Sequence, residues 1–216
     1  MATKKKQAVG VIGLGSMGMG VARTLLRKGF ETHAFDVRAD ALKSFAKDGG
    51  IAHGSPSELG AEVGVVIVLV VNADQTSTVL FGKDGAAGTL ATGSVVVSSA
   101  TVAPEFASDL GERLGSKGLL MIDAPVSGGA ARAAKGELSV MASGNKEAFR
   151  KANGALSAIS AKVYRLGDTP GMGSKVKMIN QLLAGVHIAS ACEAIALGIR
   201  AGADPKVLYE VISNSA

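Results

Sequence analysis

The chain has 216 residues, 47% of them apolar, which is long for one domain and short for two full ones. Aromatics are only 4% and Trp is absent, so a core has to be assembled from Val, Leu, Ile, Ala and Met. The formal charge of +5 is concentrated at the consecutive Lys4, Lys5 and Lys6; with the other basic residues dispersed and few rings to stack on bases, this argues against nucleic acid as a partner.

In chain order, residues 8–12 form an apolar run ending in glycines, the pattern of a buried parallel strand. Residues 17–28 carry apolar side chains at helical spacing, and Gly29 closes that helix. Residues 32–35 predict a second strand and 39–47 a second helix. Residues 63–71, a continuous run rich in valine, give the strongest strand signal. Residues 94–99 and 119–122 repeat it with helical stretches between, and 138–142 and 162–166 are closing strands around a helix at 146–159. Strands alternating with helices predict a doubly wound, mostly parallel α/β sheet.

After residues 167–173 the texture changes. Residues 173–200 read as one apolar helix of roughly 40 Å. Gly202 ends it, and Asp204-Pro205 starts another helix. The expected division is therefore 1–167 for the sheet domain and 168–216 for the start of an all-α domain. Leu182, Val186, Ile195 and Ile199 form a stripe on the long helix with no evident intrachain cover, which predicts a homodimer or larger homo-oligomer. His187 is expected to be buried or at an interface. Cys192, the only cysteine, excludes an intrachain disulfide, fits a reducing compartment and reads as a small buried apolar side chain. The run at 63–71 is too short for a bilayer and no leader segment is visible; the expectation is a cytoplasmic protein without a membrane partner.

The first strand runs directly into Gly13-Leu14-Gly15-Ser16-Met17-Gly18, a G-x-G-x-x-G pattern that opens a helix. Gly13 makes the tight turn, Gly15 lets the backbone approach a pyrophosphate, and Gly18 lets helix and strand pack closely. Free N–H groups at the helix start then face the phosphates. Asp36 ends the second strand about twenty residues further on, where a carboxylate bonds the adenosine ribose hydroxyls. Together these predict a Rossmann-type dinucleotide site. A carboxylate there repels a 2′-phosphate and favours NAD, whereas the neighbouring Arg38 is the feature that would favour NADP.

Two other segments carry candidate chemistry. Ser127-Gly128-Gly129 follows the strand at 119–122, and successive backbone N–H groups with a hydroxyl suit a carboxylate. Read alone, such a turn is more often plain connection. Lys177, Asn180 and Gln181 sit at i, i+3 and i+4 on one face of the long helix among apolar neighbours. A lysine desolvated there has a lowered pKa and can act as a general acid or base, although a lysine is more often a solvated surface charge. No metal-ligand cluster is visible in the sequence.

Taken together, the segments resemble the β-hydroxyacid dehydrogenases, the family that includes 3-hydroxyisobutyrate dehydrogenase. Residues 11–18 resemble its N-terminal signature. Asp123 through Gly129, continuing to Gly136 and Met141, is similar to its substrate-binding segment. Residues 171–177 with Asn180 and Gln181 resemble its catalytic-lysine segment. Residues 101–104 resemble its S-T-V-x-P cofactor element, with Ala100 in place of the usual serine. The resemblance implies hydride transfer between NAD and a small hydroxy acid, with L-threonate first and 3-hydroxyisobutyrate or tartronate semialdehyde as alternatives. It implies Lys177 as the proton-transfer residue and Ser127, Gly128 and Gly129 as the carboxylate anchor. Asn180 or Gln181 would be the polar partner of the lysine, Gln181 standing where the family has asparagine. Val70, Val71 and Thr101 would lie along the cofactor. The family continues through several more helices, so an incomplete C-terminal domain is expected. A dinucleotide-binding module without catalysis is the alternative from another class.

Overall fold

The computed structural model describes residues 7–215, which divide into two compact units on either side of the Lys177–Met178 bond. In the first, strands and helices alternate: β1 (Ala8–Ile12), α1 (Gly18–Arg27), β2 (Glu31–Phe35), α2 (Ala39–Lys47), β3 (Ile51–Ala52), α3 (Pro56–Glu62), β4 (Val65–Val68) and α4 (Ala73–Phe81). They continue as β5 (Val95–Ser98), α5 (Pro104–Gly115), β6 (Leu120–Asp123), β7 (Val126–Ser127), α6 (Gly129–Lys135), β8 (Leu138–Gly144), α7 (Lys146–Ile159) and β9 (Ser160–Gly167). The sheet order is β3-β2-β1-β4-β5-β6-β8-β7, with β9 on β8. From β3 to β6 all pairings are parallel, whereas β8 runs antiparallel to β6 and β7.

Both faces of this sheet are covered, and the strand residues show it by alternation. Val9, Val11, Val65, Ile67, Val95 and Val97 pack into one apolar cluster with Val21, Leu25 and Phe149. Ile12, Val66, Val68 and Val96 face the opposite cluster, with Leu59, Leu80, Leu110 and Leu114. A strand buried on both faces has no polar side to expose, which is why its sequence is a continuous apolar run. The strand read at 63–71 is shorter than its sequence pattern. Only Val65–Val68 pair with neighbours, because β1 and β5 end at Ile12 and Ser98, the partners of Val68. Leu69 still donates its amide to the Ile12 carbonyl (2.8 Å), and Val70 and Val71 pass out beyond the sheet's carboxyl edge.

The helix α8 (Met172–Arg200) is continuous, and its opening residues belong to the first unit. The second unit holds its remainder and α9 (Pro205–Ser215). Gly202, at φ +88°, makes the turn between the two helices. Asp204 Oδ1 caps α9 by accepting from the amides of Lys206 (2.7 Å) and Val207 (3.3 Å). Gly198 lets the pair close, since a Cβ there would lie 2.6 Å from Leu208 Cδ1. Leu182 and Val186 are exposed, as is Ile199, while Ile195 is half-buried. Cys192 is exposed too, contrary to the burial expected of it, and so is His187, for which a subunit interface was the other expectation. The reason is the same for all five: α9 is a single short helix and covers little of α8. By length and composition α8 is apolar enough to cross a membrane, with a mean hydropathy of 1.8.

Candidate active site

The strand order reverses between β1 and β4, each the start of a run in opposite directions, and ligands of open parallel sheets lie at the carboxyl ends of strands at such a point. A cleft of about 350 Å³ opens there, lined among others by Gly13, Gly15, Asp36, Arg38, Val70 and Val71. Gly13 adopts φ +95° and directs the chain away from β1. A Cβ on Gly18 would collide with the carbonyl oxygen of Gly13, so loop and helix can close only with glycine there. Beyond Gly15 nothing stands within 4 Å of where its Cβ would be, which leaves the backbone open to an approaching group.

Asp36 ties the glycine loop to the end of β2 on one wall of this cleft. Its Oδ2 accepts from the Leu14 amide at 2.6 Å, and its Oδ1 from the Arg38 amide (2.9 Å) and the Arg38 Nε (3.2 Å). Burial alone would raise the Asp36 pKa, but these donors outweigh it and hold the carboxyl below its ordinary value. The carboxylate stays charged, and Oδ2 retains capacity for a hydroxyl donor. Arg38 is tied inward by a further bond from Nη2 to the Leu14 carbonyl (2.9 Å). On the opposite wall, Gln75 Oε1 accepts from the Val71 amide at 3.0 Å while Asn72 Oδ1 accepts from the Gln75 amide at 2.9 Å. This reciprocal cap fixes the path of Val70 and Val71 at the start of α4. A glycine cradle, a charged carboxylate at the end of β2 and apolar walls fit a dinucleotide.

The lysine stands at the end of the first unit, far along the chain from the glycine loop and outside the lining of the cleft. Lys177 is 6% exposed, and burial pushes its amine below the ordinary lysine value. Among the described residues no carboxylate forms an ion pair with it. One turn earlier, the start of α8 is held by Asp123, the last residue of β6. Asp123 Oδ2 accepts from the amides of Gly171 (3.0 Å) and Ser174 (2.8 Å), and Oδ1 from Ser174 Oγ (2.7 Å). Ser143, paired with Asp123 across β6 and β8, accepts from the Gly173 amide at 3.0 Å.

The cleft thus gathers Gly13, Gly15, Asp36, Val70 and Val71, with Leu14, Ser16, Met17 and Gly18 in the adjoining loop and helix start. Leu14 is buried, and its amide is already taken by Asp36. Thr101 is exposed just past β5 and does not line this cleft. Next to it, the buried hydroxyl of Ser99 has no hydrogen-bond partner among the described residues. Ser127 ends β7, and Gly128 and Gly129 follow with φ of +134° and +69°, opening α6 with no side-chain cap. Asn180 is half-buried and Gln181 exposed, both in the second unit. Sequence reasoning passed over Gln75 and Ser143, and gave Ser174 and Asp123 no role beyond membership of the segments that contain them. An acid terminating an apolar strand was the available signal for Asp123. Its partners, 48 to 51 residues away, have none.

Comparison with known proteins agrees with this geometry. Residues 8–167 match the NAD binding domain of 6-phosphogluconate dehydrogenase, and 171–216 the NAD-binding segment of NADP-dependent 3-hydroxyisobutyrate dehydrogenase. The L-threonate dehydrogenase of Cupriavidus necator is 60% identical over 96% of this chain and 70% of its own length. The 3-hydroxyisobutyrate dehydrogenase of Pseudomonas aeruginosa is 35% identical over 96% of this chain and 69% of its own. A crystal structure of 3-hydroxyisobutyrate dehydrogenase from Salmonella typhimurium superposes with a TM-score of 0.93 at 46% identity, covering 98% of this chain and 74% of that one. The chain belongs to the β-hydroxyacid dehydrogenases, the family of 3-hydroxyisobutyrate dehydrogenase, and is an NAD(P)-binding oxidoreductase acting on a CH–OH group.

Proposed function

We propose that the chain oxidises L-threonate with NAD, Lys177 taking the proton of the reacting hydroxyl. The observation that carries the reading is Lys177 itself, the only buried lysine among the described residues, held without a carboxylate partner. Desolvation lowers the pKa of its amine, so the neutral form that can accept a proton is easier to reach than on a surface lysine. The bound dinucleotide supplies the hydride acceptor. The substrate carbon loses a hydride and its hydroxyl loses a proton to Lys177, leaving a carbonyl and a lysine ammonium; reduction runs the same steps backwards. Ser127, Gly128 and Gly129 hold the substrate carboxylate, and Asn180 or Gln181 supplies a polar contact beside the lysine.

NAD is preferred over NADP because Asp36 remains ionised where a 2′-phosphate would sit. Arg38, the residue that could counter this, is engaged by Asp36 and the Leu14 carbonyl. The substrate assignment rests on the identity to the Cupriavidus enzyme. The Salmonella structure favours 3-hydroxyisobutyrate as the second candidate. Residues from 168 onward form the start of a helical substrate and dimerisation domain, and the exposed stripe on α8 is buried between subunits of a homo-oligomer. The protein works in the cytoplasm.

One assay tests the central reading. NAD reduction is followed with L-threonate and 3-hydroxyisobutyrate in turn, and NADH oxidation with tartronate semialdehyde. L-threonate is expected to give the highest kcat/KM. Binding of NAD without turnover of any of the three would instead establish a non-catalytic module. Light scattering checks the assembly, for which a monomer at micromolar concentration is the contrary result.

A further inference from the structure

The Asp123 carboxylate is 1% exposed, and a buried charge must be compensated. No lysine or arginine pairs with it among the described residues. Its compensation comes mainly from donors in one short segment, the Gly171 amide, the Ser174 amide and the Ser174 hydroxyl, with the Ser143 hydroxyl on β8 donating to Oδ2 at a longer 3.4 Å. These are charge-assisted bonds to a helix start, where unpaired amides and the helix dipole favour an anion. Gly173 completes the fit. A Cβ there would stand 2.5 Å from the Met141 carbonyl oxygen and 2.6 Å from that of Asp123, so the helix start lies directly on the ends of β6 and β8.

We propose that Asp123 is a positioning residue: by gripping the first turn of α8 it sets the place of Lys177, one turn along the same helix. This rests on the reading of Lys177 as the proton-transfer residue. The same aspartate begins the segment that leads to Ser127, Gly128 and Gly129, so it fixes the lysine and the carboxylate turn to a common strand end. Helix geometry then does the rest. Lys177 follows Ser174 by three residues, and a shift of the clamped turn carries the amine with it.

The test is Asp123→Asn, which keeps the shape, removes the charge and leaves one acceptor oxygen for donors that now use two. The expected result is a kcat lowered roughly 10- to 100-fold, as for small misplacements of a reacting group, with NAD affinity unchanged. Amide exchange at residues 171–174 should accelerate. The limb of the kcat–pH profile set by Lys177 should move to higher pH, because a released amine regains water. Ser174→Ala, which keeps the charge, should shift all three in the same direction by less, and it carries the test with the same readouts if Asp123→Asn does not fold. Unchanged kcat, pH profile and amide exchange in Asp123→Asn would overturn the proposal. So would a fall in kcat matched by equal loss of NAD affinity, the mark of general damage. Lys177→Ala, measured alongside, separates the two readings. If it keeps turnover, the lysine reading fails and the positioning role with it; if it is dead while Asp123→Asn is normal, only the positioning role fails.

Discussion

The dinucleotide end and the lysine end of this site are built in opposite ways. The first is nearly continuous in sequence: Gly13 to Gly18 make the cradle, and Asp36, which bonds the Leu14 amide, lies 22 residues from it. The second is assembled across the sheet, with Asp123 and Ser143 reaching 30 to 51 residues forward to the start of α8. A local site depends on backbone conformations that a few glycines alone can take. A site assembled over long distances depends on the sheet being complete. Binding and catalysis should therefore be separable by mutation, the first lost by changes in the loop and the second by changes at the clamp.

The largest effect is expected at Lys177. Lys177→Ala should lower kcat by about 10²- to 10⁴-fold, the usual contribution of a positioned acid or base, while the dissociation constant for NAD stays at the parent value. Fluorescence titration and initial rates on the same preparation check both halves. A parallel loss of NAD affinity would mean that the two ends are not independent. Gly18→Ala should do the reverse. The added methyl meets the Gly13 carbonyl, and backbone has to move, at a cost on the order of 1–3 kcal/mol. NAD affinity should fall by about fivefold at the low end of that cost and by more than about 100-fold at the high end, with kcat at saturating cofactor little altered.

Asp36→Ala comes next. If Asp36 bonds a ribose hydroxyl as proposed, removing that charged partner should cost roughly 1.5–3 kcal/mol, about 10- to 150-fold in kcat/KM for NAD. It also releases Arg38 from the carboxylate, so activity with NADP should fall less or rise. Comparing the two cofactors on parent and variant decides it. An equal loss with both would show that Asp36 acts only by bracing Leu14.

How far each end could be read from the sequence follows from the same contrast. The cradle was legible because its signals are neighbours: a strand, three spaced glycines, a helix, then an acid closing the next strand. Residues 63–71 show the limit even there. The apolar pattern continues past Val68, but pairing stops where Ile12 and Ser98 stop, and only the sheet reveals that. Lys177 was legible as a lysine among apolar neighbours. The grip on its helix was not, since nothing near Asp123 in sequence points to Gly171 or Ser174. Cys192 was misjudged for a related reason. An apolar helix suggests burial, yet burial requires a neighbour, and the short α9 gives α8 little cover.

The smallest expected effect concerns what the lysine costs the fold. Burial lowers the Lys177 pKa, so at pH values between its folded and unfolded pKa the unfolded chain binds more protons. The contribution of Lys177 to stability then rises with pH across that interval, and below it the buried ammonium remains a constant penalty. Lys177→Met keeps the apolar stem and removes the charge. It should raise Tm at neutral pH while abolishing turnover, and its advantage should shrink as pH climbs toward the ordinary lysine value. Thermal unfolding of both chains across an alkaline series measures this directly. An advantage independent of pH would reflect packing rather than charge. A variant less stable than the parent at neutral pH would mean that the amine has a stabilising partner, and the lysine end would then be built as a paired charge and not as a poised base.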